Sequence, residues 1–314
     1  MVAVKAIHSI ALTVAELDRT QSFYIQALGF KPVGDITIEA ANYSQIADVP
    51  PRPVRIVTLQ LGDETIELVD CLDSDSAPIP RDSQSNDLWF QHMAIVVSDL
   101  DRAYKHLQSF SVEPISDGPQ TIPANNPTAG GVRAFKFRDV DYRSLELIWF
   151  PEGKGKEKWH QNSDDLFLGI DHSAIAISNA DISRQFYRDL LGMTVVSSTL
   201  HSGEVQATLD GLPIADVQVI PLQPAQTSIG IELLDYIKPG TGRPIPEHWD
   251  ASDLAHMHII LETEEIESAL EQLKQADVEI VSPHWVNFPD TYRFRRGCLI
   301  KDPDGHALLL VGCR

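Results

Sequence analysis

Cysteine is scarce in this chain: Cys71, Cys298 and Cys313 are the only three in 314 residues, and no two stand in C-x-x-C spacing. That excludes a disulfide framework and a thiolate zinc knuckle, and it fits a reducing, cytoplasmic setting. Long apolar runs are missing too, and none approaches the roughly 18 residues that would suggest a membrane span. The start, MVAVKAIHSIALTV, holds one lysine and no small-residue cleavage site, so no signal peptide is expected. Positive charge is in deficit, with 25 Lys and Arg against 45 Asp and Glu, for a formal net charge of −20. Such a surface repels phosphate backbones and anionic lipid heads, so neither nucleic acid nor membrane is expected as a partner. What remains is an ordinary globular composition, 43% hydrophobic and 22% charged, and a length that suits about two domains.

What the chain does have is itself, repeated. HSIALTV (8–14) resembles HSAIAI (172–177), and FYIQALGF (23–30) resembles FYRDLLGM (186–193). Gly29 and Gly192 stand where a helix C-terminus favours positive φ. IELVD (66–70) matches IELLD (231–235). A gapless match then aligns Pro78-Ile79-Pro80 with Pro244-Ile245-Pro246, Asp87-Leu88 with Asp253-Leu254, and His92 with His258 rather than with the nearby His256. Further on, RDVDYRSLELIWF (138–150) matches KDPDGHALLLVGC (301–313). The chain therefore reads as four copies of one βαβββ module, at about 1–75, 86–152, 165–240 and 252–314, with helices near 16–29, 99–109, 181–191 and 264–276. The polar stretch 151–168 reads as a linker between halves 1–152 and 165–314.

Each module opens on a strand carrying a histidine: His8, His92, His172 and His258. Near its last strand each offers a second residue at a similar distance: Glu67, Glu146, Glu232 and Leu309. In IELVD, LELI and IELLD the acid sits between aliphatics, and strand side chains alternate faces. If the aliphatics face the helices, the glutamates face the other side of the sheet. A carboxylate on a covered sheet face is costly unless it is paired or bound to metal. One such glutamate is an unremarkable strand residue, but matched histidines and acids across a repeat point to a metal. Imidazole and carboxylate donors together suit Fe, Mn, Ni or Zn. Arg133 and Arg296 precede matching turns and are read as substrate anchors, able to hold an anion. Arg293, Arg295 and Arg296 form a basic cluster beside Tyr292, either a charged edge strand or part of such an anchor.

The chain resembles the vicinal-oxygen-chelate superfamily (glyoxalase, bleomycin resistance and extradiol dioxygenase proteins) through HSIALTV…FY…LGF, the D-x-D…LELI ending and KDPDGHALLLV. The resemblance covers nearly the whole chain and implies an α+β fold in which paired modules form curved half-open barrels around a metal. Sequential pairing, which the linker makes easy, implies one complete site of His8, Glu67, His92 and Glu146, with Glu67 and Glu146 as catalytic acids or bases. The second site would hold His172, Glu232 and His258, with Leu309 in the place of the fourth ligand. Crosswise pairing is the alternative: His92, Glu146, His172 and Glu232 in one site, and His8, Glu67, His258 and Leu309 in the other. Either way one site is complete and one is degenerate. The implied activity is a metal-dependent lyase or isomerase that stabilises an enediolate on a small oxygenated substrate. Alternatives are a ring-cleaving Fe(II) dioxygenase and a small-molecule binding protein without catalysis. A monomer can build both cavities, and a homodimer is the alternative.

Overall fold

The computed structural model describes residues 2–72, 74–264 and 266–312, so Cys313 lies outside the described residues. The first module comprises β1 (Val4–Thr13), α1 (Leu17–Leu28), β2 (Lys31–Ile38), α2 (Ala40–Ala47), β3 (Val54–Leu61) and β4 (Glu64–Cys71). The second comprises β5 (Gln91–Val97), α3 (Leu100–Leu107), β6 (Glu113–Pro114), β7 (Gln120–Thr121), β8 (Arg133–Arg138) and β9 (Ser144–Trp149). The third runs through β10 (Phe167–Ile177), α4 (Ala180–Arg184, continued by a π turn, Gln185–Leu190), β11 (Thr194–Val195), β12 (Thr199–Ser202), α5 (Glu204–Asp210), β13 (Asp216–Gln223) and β14 (Gly230–Lys238). The fourth holds β15 (Met257–Thr263), α6 (Ile266–Gln275), β16 (Val286–Asn287), β17 (Arg296–Lys301) and β18 (Ala307–Gly312). Gly29 and Gly192 take the left-handed conformation with φ of 75° and 78°, where a Cβ would be strained, and end their helices as expected. Among the described residues no helix is long and apolar enough to cross a membrane.

In each module the last long strand lies parallel to the first, as β4 does to β1 and β9 to β5. Modules then join through their first strands, and here the sequential expectation fails. β1 pairs antiparallel with β15, and β5 pairs antiparallel with β10. One sheet therefore runs β16-β17-β18-β15-β1-β4-β3-β2, and the other β11-β13-β14-β10-β5-β9-β8-β6. Modules one and four share the first sheet, and modules two and three share the second. Halves 1–152 and 165–314 are thus units of sequence repeat, each giving one module to each sheet. Linker length does not decide the pairing, because the segment between β4 and β5 is about as long as that between β9 and β10.

The alternation read from the sequence holds. Ile66 and Leu68 of β4, Leu145 and Leu147 of β9, Ile231 and Leu233 of β14, and Leu308 and Leu310 of β18 all enter one apolar cluster with the helices. That cluster includes residues of both sheets, so the helices pack between them. The opposite, concave faces receive Glu67, Glu146, Glu232 and Leu309.

Candidate metal centre

In the second sheet, register brings the chemistry together. Ala94 is the partner of Glu146, Ala174 of Glu232, and Ala174 also of His92. The small alanines leave room above the central strands, and the longer side chains fill it. His92 Nε2 lies 3.3 Å from Glu146 Oε2, His172 Nε2 lies 3.8 Å from the same oxygen, and His172 Nε2 is 3.5 Å from Glu232 Oε2. Ligand atoms of His92, Glu146 and His172 all lie within 4.8 Å of one another. They line a cavity of about 610 Å³.

The electrostatics are those of a site made for a cation. Both ring nitrogens of His92 and Nε2 of His172 are buried without a hydrogen bond. Buried polar nitrogens without a hydrogen bond are costly, and a divalent ion ligated through one nitrogen of each ring removes that cost there. The donor set present therefore fits a divalent metal. Burial lowers the pKa of His92 to about 4, with Lys136 adding to the effect, so the ring is neutral and free to ligate near pH 7. Burial also works against charge on Glu146, yet His92, Lys136 and His172 hold its pKa down to about 2. For His172, burial is outweighed by Glu232, Asp171 and Glu146, which raise its pKa to about 9. Burial raises the pKa of Glu232 from its ordinary value. His172 Nδ1 is 3.1 Å from Asp171 Oδ2. Asp171 Oδ1 accepts a 2.9 Å hydrogen bond from Trp159 Nε1. An outer carboxylate of this kind fixes which imidazole nitrogen is left to ligate.

The first sheet treats the same positions differently. Ala11 is the partner of both Glu67 and His258, as Ala174 is of Glu232 and His92. Counting back from these alanines, the counterpart of His172 is Ser9, and His8 corresponds to Asp171. The His8–His172 match was one residue out of register. The Phe23-Tyr24 and Phe186-Tyr187 match, which is in register with the alanines, carried the correct alignment. Glu67 is 1% exposed and captured: Tyr292 donates to Oε2 at 2.6 Å and Arg293 Nη2 to Oε1 at 3.1 Å. Arg293 Nη1 also lies 2.9 Å from His8 Nδ1. His258 Nδ1 faces His256 Nε2 at 3.1 Å. With Tyr43, Phe288 and Leu299 packed around them, only about 20 Å³ of space remains.

The ligand set His8, Glu67, His92 and Glu146 is therefore divided between two sheets, and Glu67 reaches no open cavity. The grouping His172, Glu232 and His258 is divided in the same way. Arg133 and Arg296 are corrected as well. They share strand parity with Phe135 and Cys298 on the helix side, so they point away from the concave faces. Arg133 Nη2 pairs with Asp101 at 2.8 Å, and Arg296 pairs with Glu267. Lys136, Asp171, His201 and Gln206 also line the open cavity; His201 has no matched partner in the repeat, and sequence reasoning assigns none of the four a role. A signal for Lys136 existed: Phe-Lys-Phe on β8 lies beside Leu-Glu-Leu on β9, with the same alternation.

A family model described as Glyoxalase/Bleomycin resistance protein/Dioxygenase superfamily matches residues 6–147 and 169–310. A 2-epi-5-epi-valiolone epimerase from Actinomyces sp is 31% identical over 153 residues, which is 47% of this chain and 81% of that protein. Glyoxalase I from Zea mays superposes with a TM-score of 0.66 at 16% identity, over 98% of this chain and 92% of that one. At that identity the likeness speaks for the fold alone.

Proposed function

The chain belongs to the Glyoxalase/Bleomycin resistance protein/Dioxygenase superfamily, and from that premise we propose that its open cavity is a divalent-metal centre for isomerising or epimerising a small oxygenated substrate. One observation carries the reading: His92, Glu146, His172 and Glu232 converge on one cavity while His92 Nδ1 and Nε2 and His172 Nε2 make no hydrogen bond. His92, His172 and Glu146 would hold the ion. When bound, a divalent ion supplies Lewis acidity that draws charge onto two vicinal substrate oxygens, as an enediolate requires. Glu232, the most exposed of the four at 23%, faces the cavity beside His172. Its carboxylate is placed to take a proton from the carbon next to a substrate carbonyl and to return it, for an isomer or an epimer. Asp171 keeps His172 turned toward the cavity, and Ile148 and Leu234 keep bulk water from that wall. The epimerase relative supports a polyhydroxylated ketone as the substrate class.

The test is metal analysis of the purified protein together with proton exchange. One divalent ion per chain is expected. Polyhydroxylated ketones in D2O should take up deuterium at the carbon beside the carbonyl, by NMR. Glu146→Ala should lose metal and turnover, whereas Glu232→Gln should keep metal and lose exchange. Unchanged turnover in Glu146→Ala would sink the assignment. Two histidines and one carboxylate are also the donor set of Fe(II) oxygenases. Oxygen uptake by ferrous protein with a panel of catechols, without deuterium exchange, would favour ring cleavage instead. A folded protein that binds no metal would favour a binding role.

A further inference from the structure

Lys136 stands on β8 with Glu146 as its cross-strand partner, so both side chains rise from one face of the sheet. It is a buried ammonium inside the cavity that holds the candidate metal ligands. Its Nζ donates to Asp210 Oδ1 at 2.6 Å. Asp210 closes α5, a helix of the third module, and its other oxygen accepts from Gln206 Nε2 at 2.8 Å. Ser85 Oγ and Ser116 Oγ hold the backbone carbonyls of Asp210 and Leu209 at 2.8 and 2.9 Å. The end of α5 is therefore fixed against the second module, and Lys136 is fixed by it.

An ammonium has three donor directions. One goes to Asp210, the Phe90 ring lies 5.8 Å from Nζ, and the side chain lines a cavity shared with Gln206 and His201. A lysine needed only to tie α5 down has no reason to sit in the wall of an open cavity. The surroundings also restrict what it can receive. The Lys136 charge is already met by Asp210, which disfavours a second anion at this end of the cavity. Gln206 and His201 offer mixed donors and acceptors, which suits hydroxyl groups.

Resting on the chelate reading above, we propose that Lys136 is the specificity-determining residue of this cavity, donating to a third, hydroxyl oxygen of a polyhydroxylated substrate whose vicinal pair faces the metal. Asp210 is its positioning residue.

Cobalt(II)-loaded protein and two probes test this by calorimetry. Glycolate presents a vicinal oxygen pair alone, and the two enantiomers of glycerate add one hydroxyl. Wild type should bind one glycerate enantiomer about tenfold or more tighter than glycolate, the worth of one hydrogen bond to a charged donor. Lys136→Met should erase that gain, keep its affinity for glycolate, and keep one cobalt per chain with an unchanged visible spectrum. Lys136→Arg should recover part of the gain. Because Lys136→Met leaves Asp210 buried without its partner, Lys136→Met/Asp210→Asn, which removes both charges, gives the same readout if the single variant does not fold. A full hydroxyl gain in either folded variant, or none in cobalt-loaded wild type, overturns the role of Lys136. Failure of wild type to bind cobalt overturns the chelate reading, and this inference with it.

Discussion

The two concave faces are built from the same module and have opposite contents. In the second sheet the positions under the barrel hold His92, Glu146, His172 and Glu232 around about 610 Å³ of space. In the first sheet they hold His258, Leu309, Ser9 and Glu67 around about 20 Å³. Two ligand positions are lost there, and the remaining carboxylate is satisfied from inside the protein. Arg293 brings a positive charge to Glu67 where a metal would otherwise bring one, and Tyr292 takes the other oxygen. Phe294, edge-on to His8 at 4.7 Å between ring centres, completes the filling. A repeated fold can thus keep one site for chemistry and turn its twin into core, because a buried carboxylate needs a cation or donors but not a particular kind.

The comparison is most sharply broken by metal content. His172→Ala should reduce bound metal from one per chain to none and take turnover to background, while His258→Ala should leave both unchanged, by elemental analysis and steady-state rates. Metal loss in His258→Ala would mean that the filled cavity also binds. Next comes stability. Arg293→Met should cost about 2 kcal/mol in urea unfolding, less than the roughly 3–5 kcal/mol of a fully orphaned buried charge, because Arg293 is 26% exposed and Tyr292 still donates. Glu67→Leu/Arg293→Met should recover most of that loss.

Acid should separate the faces further. Burial lowers the pKa of His256 to about 4 and holds that of His258 well below the ordinary imidazole value. Both depressed values mean that the unfolded chain binds these protons first. Their contribution is present above about pH 6.5 and is lost as pH falls toward 4. Urea midpoints of metal-free protein should therefore fall across that window, and less steeply for His256→Gln/His258→Gln. His172 has the opposite sign: its raised pKa gives a contribution present below pH 6.5 and lost as pH rises through about 9. The smallest effects belong to Arg133→Ala and Arg296→Ala. Their carboxylate partners are 70% and 66% exposed, so each change should stay within about 0.5 kcal/mol and leave turnover unaltered.

The α+β modules, the helix ends at Gly29 and Gly192, and the inward turn of the glutamates were legible in the chain because they rest on local rules. Period-two alternation fixes the face of Glu146 between Leu145 and Leu147 wherever the strand goes. The loss of a ligand at Leu309 was legible for the same reason. Lys136 was legible in principle, since its flanking phenylalanines obey that alternation.

Which modules share a sheet was not local. β5 pairs with β10 and β1 with β15 through strand edges far apart in sequence, and only the folded chain compares the alternatives. That choice moved His172 and Glu232 beside His92 and Glu146, and it sent Glu67 to Arg293. It also corrected the partner of His172 from His8 to Ser9, because register is set by packed pairs and not by a shared His-Ser. The sequence by itself determined the repeated module, its inward-facing donors and the inequality of the two sites. Tertiary structure alone decided which donors meet, because a strand's own sequence fixes its faces but not its neighbour.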